Sequence, residues 1–216
     1  MTSTGIGPPP ITLAPRQAAL RRAAFHLLLR APDPVSPQRL AAELGQDLDT
    51  VVADLDLLDR VGRIRRTPGG DVLASLGLTL LPTRHRIAVG TTERHTWCAL
   101  DALGILGALA TDGWIDSEPP CGGGRIHIDV RGGVPMGHPE SYVLFIAEQT
   151  PVASVVDQWC PLVNFFPDSE SARAWATGTG AGGRTLGLTE AAQYATRLWR
   201  PLIDVAARSC DASEAT

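Results

Sequence analysis

The chain has 216 residues, of which 44% are hydrophobic and 19% are charged, and its formal net charge is −4. These proportions allow an ordinary buried core, and the slight negative charge gives no general attraction to nucleic acid or anionic lipid. No apolar run approaches the roughly 18 residues that suggest a membrane span, and residues 1–10 lack the basic and apolar regions of a secretory signal. We therefore expect a cytoplasmic protein without membrane contact.

Helical signals dominate the first third of the chain. Residues 1–15 are rich in Pro, Gly, Ser and Thr and are predicted to form a flexible tail. Helical periodicity then begins at Arg16, and two further helices follow, each with a residue suited to cap its start. A short hairpin closes this region. Three helices and a hairpin are typical of a winged-helix-like module, which we assign to residues 16–82. Its elements are predicted from residue 16 to Pro32, over 37–44 and 48–61, and around the turn at 68–70.

The charges of the third helix bear on DNA binding. The helix carries four aspartates against one arginine, whereas a helix that enters a DNA groove needs positive charge to neutralise phosphates. The arginines of the hairpin favour DNA contact, but weakly. We favour a module that serves structural packing, and nucleic acid is not an expected partner. The aspartates are Asp49, Asp54, Asp56 and Asp59, and the hairpin arginines are Arg63, Arg65 and Arg66.

From about residue 83 the pattern changes to strands and turns. Segments with a two-residue alternation predict half-buried strands, and an apolar segment predicts a more deeply buried one. An apolar helix begins at Cys98, and near the end of the chain two further helices are separated by a glycine-rich loop. The predicted fold class is α+β, with a mixed or antiparallel sheet domain and flanking helices over residues 83–208 and a frayed end over 209–216. The strands are predicted over 85–89, 125–130 and 142–146, the helices over 98–110, 169–176 and 189–202, and the loop over 178–183.

Two residues at the start of the apolar helix combine into a chemical pair. Cys98 lies at the helix N-terminus, where the helix dipole favours a thiolate and lowers the pKa of a cysteine. Asp101 shares its face one turn later among apolar neighbours, so burial should raise the pKa of its carboxyl. A thiolate beside a protonatable acid suits proton transfer. The alternative is a buried structural cysteine and an aspartate that caps the helix.

A second cysteine, Cys160, lies in an apolar segment between tryptophan and phenylalanine residues. None of the four cysteines forms a Cys-x-x-Cys pair, and disulfides do not persist in a reducing cytosol. Two thiols and one carboxyl would together hold a soft metal and move one proton. The sequence therefore offers Cys98, Asp101 and Cys160 as candidate catalytic residues.

These residues occur in blocks that resemble the organomercurial (alkylmercury) lyases. The first block is Trp97-Cys98-Ala99-Leu100-Asp101, Cys121 follows, and the second block begins at Cys160 and continues through 163–166 as Val-Asn-Phe-Phe. The front module is similar to the helical N-terminal region of that family. The resemblance implies that Cys98, Cys160 and Asp101 are catalytic and that Cys121 is structural. Cys210 matches no family position, and the sequence departs from many members at Asn164 and Pro161.

The reaction that the resemblance implies is protonolysis of a carbon–mercury bond, in a role in mercury resistance. A thiolate captures the organomercurial, a second thiolate adds, and Asp101 protonates the metal-bound carbon. Hg(II) stays on the two cysteines until low-molecular-weight thiols remove it, and transfer to a mercuric reductase is implied. No cofactor is expected, and the sequence does not order the cysteines. An apolar pocket wall is expected from Trp97, Trp159, Phe165 and Phe166.

Two other hypotheses follow from the same residues. A thiol-based metal-responsive regulator would join the winged helix to the paired cysteines and bind DNA until metal releases it. An enzyme on the same scaffold would instead use the Cys98–Asp101 pair on a substrate without mercury. The first requires DNA binding at low salt, and the second requires that organomercurials remain intact.

Overall fold

The computed structural model describes residues 5–137 and 141–203. Over these ranges the chain forms an α+β fold with antiparallel sheets. Within the same ranges, no helix combines the length and apolar character needed to cross a bilayer. Cys210 and the predicted frayed end at 209–216 lie outside the described residues.

Three helices and a hairpin open the fold, in the order that the sequence predicts. Ser36 caps the start of α2, and its hydroxyl accepts a hydrogen bond from the Arg39 N–H at 3.3 Å. Gly45, in the left-handed conformation, caps the end of the helix. Asp47 caps the start of α3, and its carboxylate accepts a hydrogen bond from the Thr50 N–H at 3.0 Å. The bounds are α1 Pro15–Arg30, α2 Pro37–Leu44, α3 Leu48–Arg60, β1 Ile64–Arg66 and β2 Val72–Ser75.

The hairpin continues into one antiparallel sheet that extends across residue 82. Its strand order is β1-β2-β3-β5-β4-β6-β7-β8. The pairing of Leu78 with Thr96 joins β3 to β5, so the front module and the later strands share one sheet. The further strands are β3 Leu78–Thr79, β4 His85–Val89, β5 Thr92–Thr96, β6 Gly113–Ser117, β7 Ile126–Arg131 and β8 Val134–Pro135.

A smaller sheet and a pair of packed helices complete the fold. α4 and α6 approach closely because α4 carries glycines at the contact. A Cβ on Gly104 would lie 2.5 Å from the Trp199 ring, and one on Gly107 would lie 2.0 Å from the Thr196 hydroxyl oxygen. The smaller sheet has the order β10-β9-β11. The bounds are α4 Ala99–Leu109, β9 Val143–Ala147, β10 Asn164–Phe166, α5 Ser169–Thr179, β11 Gly183–Gly187 and α6 Leu188–Ile203.

Two sequence predictions differ from the structure in their details. The glycine-rich loop of 178–183 is shorter than predicted, because α5 extends to Thr179 and Gly183 already pairs with Ala147 as part of β11. The predicted tail lies against the body of the protein from residue 5 onward. The Gly7 N–H donates to the Ala147 carbonyl at 3.2 Å, and the Tyr194 hydroxyl donates to the Ile6 carbonyl at 2.8 Å. The flexibility of residues 1–15 stays a prediction.

Candidate active site

The start of α4 brings Cys98 and Asp101 together. Cys98 is the N-cap residue, and its backbone N–H donates a hydrogen bond to Asp101 Oδ2 at 2.9 Å. The hydroxyl of Thr96 donates to the Cys98 carbonyl at 3.0 Å, which fixes the chain as it enters the helix. Both side chains are buried, with 0% of Cys98 and 4% of Asp101 exposed. The carboxyl therefore caps the helix and faces the thiol at once.

Cys160 reaches the same place from a separate segment. It follows a π-helical turn at Val155–Trp159 and opens a 3₁₀ turn at Cys160–Leu162. The Ala99 N–H donates to the Val163 carbonyl at 3.2 Å, which joins this segment to the start of α4. One ligand atom from each of Cys98, Asp101 and Cys160 lies within 4.8 Å of the other two. Both cysteines are free thiols. The three residues could therefore contact one soft metal atom.

Burial dominates the protonation of this cluster. It raises the pKa of the Asp101 carboxyl to about 6, against the hydrogen bonds from Cys98 and the charge of Arg21. This direction confirms the sequence prediction for Asp101. The predicted low pKa of Cys98 is wrong. Burial raises the pKa of that thiol well above its usual range, and its hydrogen bond to Cys160 and the charge of Asp101 raise it further. These effects outweigh the helix dipole.

Cys160 differs from Cys98 in its electrostatic surroundings. The hydrogen bond from the Cys98 thiol lowers the pKa of Cys160, but burial and the charge of Asp101 raise it, and the net direction is upward. The charge of Arg63 also lowers the pKa of Cys160. Cys160 thus accepts a hydrogen bond and faces a cation, both of which favour its thiolate relative to that of Cys98.

The cluster opens onto a cavity of about 420 Å³. This volume falls within the range of about 300–1,000 Å³ that is usual for small-molecule sites. Asp101 and Cys160 line the cavity, together with apolar side chains from α6 and from the segment before α1. Cys98 is not among the lining residues and lies behind the other two. A molecule that enters the cavity would therefore meet the sulfur of Cys160 before that of Cys98.

The four predicted wall residues divide into two pairs. Trp97 and Trp159 line the cavity, and the Trp159 indole N–H donates to the Glu148 carbonyl at 3.1 Å. Phe165 and Phe166 are fully buried and do not line the cavity described here. They face the core instead, because Phe165 packs edge-on to the His85 ring and Phe166 packs against Trp175.

The segment before α1 forms one side of the cavity. Pro8, Pro9 and Pro10 line it, and Arg63 donates a hydrogen bond to the Pro9 carbonyl. The Gln149 side chain donates to the Pro8 carbonyl at 3.4 Å. The sequence predicts only a tail for these prolines, because nothing in their spacing indicates a contact with residues far along the chain.

A tight turn between β2 and β3 packs against Asp101, a contact that the sequence pattern does not predict. Leu76 and Gly77 both have positive φ angles, of 51° and 85°, and both line the cavity. A Cβ on Gly77 would lie 2.1 Å from Asp101 Oδ1, so glycine is required here for two reasons. The Leu76 carbonyl accepts a hydrogen bond from the Trp199 indole at 3.1 Å. In the sequence, the feature that could have indicated this turn is a glycine between two short apolar runs.

Two arginines of the cavity were also missed as site residues. Arg21 and Arg63 line it, and Arg21 is only 8% exposed. Arg21 lies four residues before Phe25 and seven before Leu28, on the buried face of α1. An arginine on an apolar helix face is the signal that could have indicated it. For Arg63 the sequence pattern indicates only a weak tendency toward DNA contact.

The remaining cysteine with a predicted role lies away from the cluster. Cys121 is exposed in the turn between β6 and β7, where its thiol donates a weak hydrogen bond to the Gly122 carbonyl at 3.6 Å. It is not one of the residues that the structure groups with Asp101. Its structural role stays a prediction.

Comparison with known proteins gives one family. A profile of the MerB family, described as alkylmercury lyase, matches residues 78–200. An alkylmercury lyase of Staphylococcus epidermidis is 31% identical over 154 residues, which cover 68% of this chain and 67% of the relative. One of Bacillus cereus is 28% identical over 172 residues, which cover 76% and 73%. The crystal structure of the mercury-bound form of MerB2 has the same fold, with a TM-score of 0.80 at 24% identity over 89% of this chain and 94% of that one.

Proposed function

The chain belongs to the alkylmercury lyase family, which is a family of enzymes, and from that premise we propose that Cys98, Cys160 and Asp101 cleave carbon–mercury bonds by protonolysis. The observation that carries this proposal is the cluster itself, in which two sulfurs and one carboxylate oxygen lie within 4.8 Å of one another. Mercury(II) is soft and prefers thiolate ligands, and the carboxyl supplies the proton.

Cys160 makes the first bond to mercury in this mechanism. It lines the cavity, accepts a hydrogen bond and faces Arg63, whereas Cys98 lies behind it. An organomercurial in a thiol-rich solution carries a thiolate ligand. Cys160 replaces that thiolate, and the proton of its thiol leaves with the displaced thiol. The organic group then remains bonded to mercury inside the cavity.

Cys98 and Asp101 complete the cleavage. The Asp101 carboxylate accepts the proton of the Cys98 thiol, and the Cys98 sulfur then binds mercury. Asp101 gives that proton to the metal-bound carbon, the carbon–mercury bond breaks, and a hydrocarbon leaves. Hg(II) remains on two thiolates and Asp101 is a carboxylate again. With its pKa near 6, this carboxyl can both accept and donate a proton close to neutral pH.

The cofactors and partners follow from this chemistry. Protonolysis transfers no net electrons to or from the protein, so we propose that no cofactor takes part. External low-molecular-weight thiols remove Hg(II) from the two cysteines, and a mercuric reductase is the proposed recipient in mercury resistance. A reducing compartment keeps two neighbouring thiols free, which supports a cytoplasmic location.

We also propose a winged-helix-like module at 16–82 and a catalytic α+β domain at 83–208. The order of α1, α2, α3 and the β1–β2 hairpin supports the module. Its hairpin arginines do not favour DNA binding, because Arg65 contacts Asp157 and Asp59, and Arg66 contacts Asp56. The third, Arg63, lines the cavity. The module therefore contributes to the site instead of presenting a cationic face to phosphates.

The experiment that tests the function is release of benzene from phenylmercury by the purified chain in excess thiol. We expect stoichiometric benzene and Hg(II), and a loss of about a hundredfold or more in kcat for Asp101→Asn, which removes the proton carrier. Asparagine can still accept the hydrogen bond from the Cys98 N–H, so the geometry is kept. Intact phenylmercury after incubation with the wild-type chain would contradict the function. Full activity of Asp101→Asn would contradict the role of that residue.

A further inference from the structure

Two arginines on the cavity wall have unsatisfied donors. The Nε atoms of Arg21 and Arg63 are both buried without a hydrogen-bond partner. Within residues 5–137 and 141–203, the Arg21 guanidinium makes neither a hydrogen bond nor an ion pair. Arg63 donates to the Pro9 carbonyl and likewise forms no ion pair within those ranges. Each of these groups therefore keeps donors free beside the cavity.

This arrangement is unfavourable for the protein alone. A buried charge is costly unless it is paired, and nearly all buried donors in proteins have partners. Burial and the nearby charge of Arg63 lower the pKa of Arg21 to about 9, with only Asp101 acting in the opposite direction. Asp101 is the one acid among the residues that line the described cavity, whereas Arg21 and Arg63 both carry positive charge. The cavity thus has an excess of positive charge beside apolar walls.

We propose that Arg21 and Arg63 form a subsite for a carboxylate carried by the organomercurial substrate. An arginine presents two parallel N–H donors that match a carboxylate, and such a bond is strongest where water is excluded. The subsite lies in the cavity that also holds Cys160, so one substrate can place mercury on the sulfur and its anionic group on the arginines. The proposal rests on the proposed function and adds a preference for anionic substrates.

The carboxylate can come from two parts of the substrate. It can belong to the organic group, or to the small thiol that ligates mercury in solution before Cys160 replaces it. Two assays separate these sources. One compares 4-carboxyphenylmercury with phenylmercury in excess 2-mercaptoethanol, a neutral thiol. The other compares phenylmercury in mercaptoacetate with phenylmercury in the methyl ester of the same thiol.

The expected result is a preference for the carboxylate in at least one assay. We expect kcat/KM to be higher by about tenfold or more for the anionic member of the pair, the usual effect of a hydrogen bond to a charged group. Arg21→Gln and Arg63→Gln should each remove most of this preference. The readout is the ratio of the two kcat/KM values, because Arg63 also acts on Cys160 and Arg21 on Asp101, so each variant changes cleavage of phenylmercury as well. Arg39→Gln, which changes an exposed arginine of α2, is the matched control and should keep the preference.

Three results would overturn the subsite. The first is equal kcat/KM values within both pairs, and the second is an unchanged preference in both arginine variants. The third is an equal loss for neutral and anionic substrates in those variants. That third result would indicate that the arginines act only through Asp101. The same preference should appear as tighter binding of 4-carboxyphenylmercury than of phenylmercury to Asp101→Asn, so the subsite is tested without turnover. Failure of the wild-type chain to cleave phenylmercury would instead contradict the proposed function.

Discussion

The aspartates of α3 and the charged groups of the cavity differ in how they are paired. On α3, three carboxylates each contact an arginine, and most of these groups are partly open to solvent. In the cavity, Arg21 and Arg63 keep free donors, and burial raises the pKa of Asp101. The α3 pairs are satisfied within the protein, whereas we propose that the cavity charges are satisfied by a substrate. The pairs are Asp54–Arg16, Asp56–Arg66 and Asp59–Arg65.

The largest effect should come from the cavity thiol. Cys160→Ser replaces a soft ligand by a hard one and should lower kcat/KM for phenylmercury by at least about a thousandfold. Cys121→Ser is the matched control, because Cys121 is exposed and lies outside the cluster. Assays of benzene release compare the two variants. Similar losses in both would show that the site is not built around Cys160.

The buried carboxyl should make stability depend on pH. Its pKa is 3.8 in the unfolded chain and about 6 in the folded one, so its contribution to stability is present below pH 3.8 and is lost as the pH rises through 6. Asp101→Asn removes this loss. The unfolding free energy of the variant minus that of the wild type should therefore be about 3 kcal/mol larger above pH 6 than at low pH.

Urea unfolding of both proteins between pH 4 and pH 8 measures this difference. If the two stability curves run parallel over that range, the carboxyl has an ordinary pKa in the folded state. The proton transfer proposed for Asp101 would then lack its electrostatic basis.

The turn below Asp101 should be sensitive to a single methyl group. Gly77→Ala places a Cβ against Asp101 Oδ1 and should displace the carboxyl, with a loss of about a hundredfold in kcat. Gly90→Ala is the matched control, since Gly90 also has a positive φ, of 59°, but its added Cβ would meet nothing within 4 Å. Both substitutions should cost about 1–2 kcal/mol of stability from the left-handed backbone, and Gly77→Ala should cost more because its Cβ also overlaps the Asp101 side chain.

Activity separates these two glycine variants. Thermal unfolding should show a larger shift for Gly77→Ala than for Gly90→Ala. At a temperature where both variants are folded, only Gly77→Ala should lose turnover. Equal activity in the two variants would mean that the carboxyl can move without effect, which disagrees with its proposed role.

The smallest effect should come from the ion pairs of α3. Asp56→Asn breaks the contact with Arg66 at a partly exposed position, where such a pair contributes at most about 1 kcal/mol. Turnover of phenylmercury should stay within about twofold of the wild type, because the pair lies outside the cavity. Steady-state kinetics and urea unfolding check both values. A loss of activity as large as that of Gly77→Ala would contradict the distinction between the two regions.

Local signals predicted much of this fold. Ser36 and Asp47 cap their helices as expected, and the alternating segment that starts β4 at His85 is a strand. Short strands such as β3 and β10 were missed, because two or three residues carry no period of their own and are fixed by pairing with distant strands. The continuous sheet across residue 82 depends on the same long-range pairing.

The site was predictable where one helix or one sequence block contains it. Cys98 and Asp101 are three residues apart, and Cys160 is indicated by its apolar segment between aromatic residues and by the family block that it begins. Arg21 and Gly77 act through contacts across the fold, with Asp101 as their common neighbour. The pKa of Cys98 was predicted in the wrong direction because the helix dipole is visible in the sequence, whereas complete burial beside Asp101 and Cys160 is not.

The most direct test of the whole account is the coordination of mercury after one turnover. The chain is mixed with one equivalent of phenylmercury under low thiol, and X-ray absorption at the mercury edge counts the sulfur ligands of the bound metal. We expect two sulfur ligands in the wild type, supplied by Cys98 and Cys160, and one protein sulfur in Cys160→Ser. A wild-type complex with a single protein sulfur, or an unchanged spectrum in the variant, would contradict the joint binding of one mercury atom by these two cysteines.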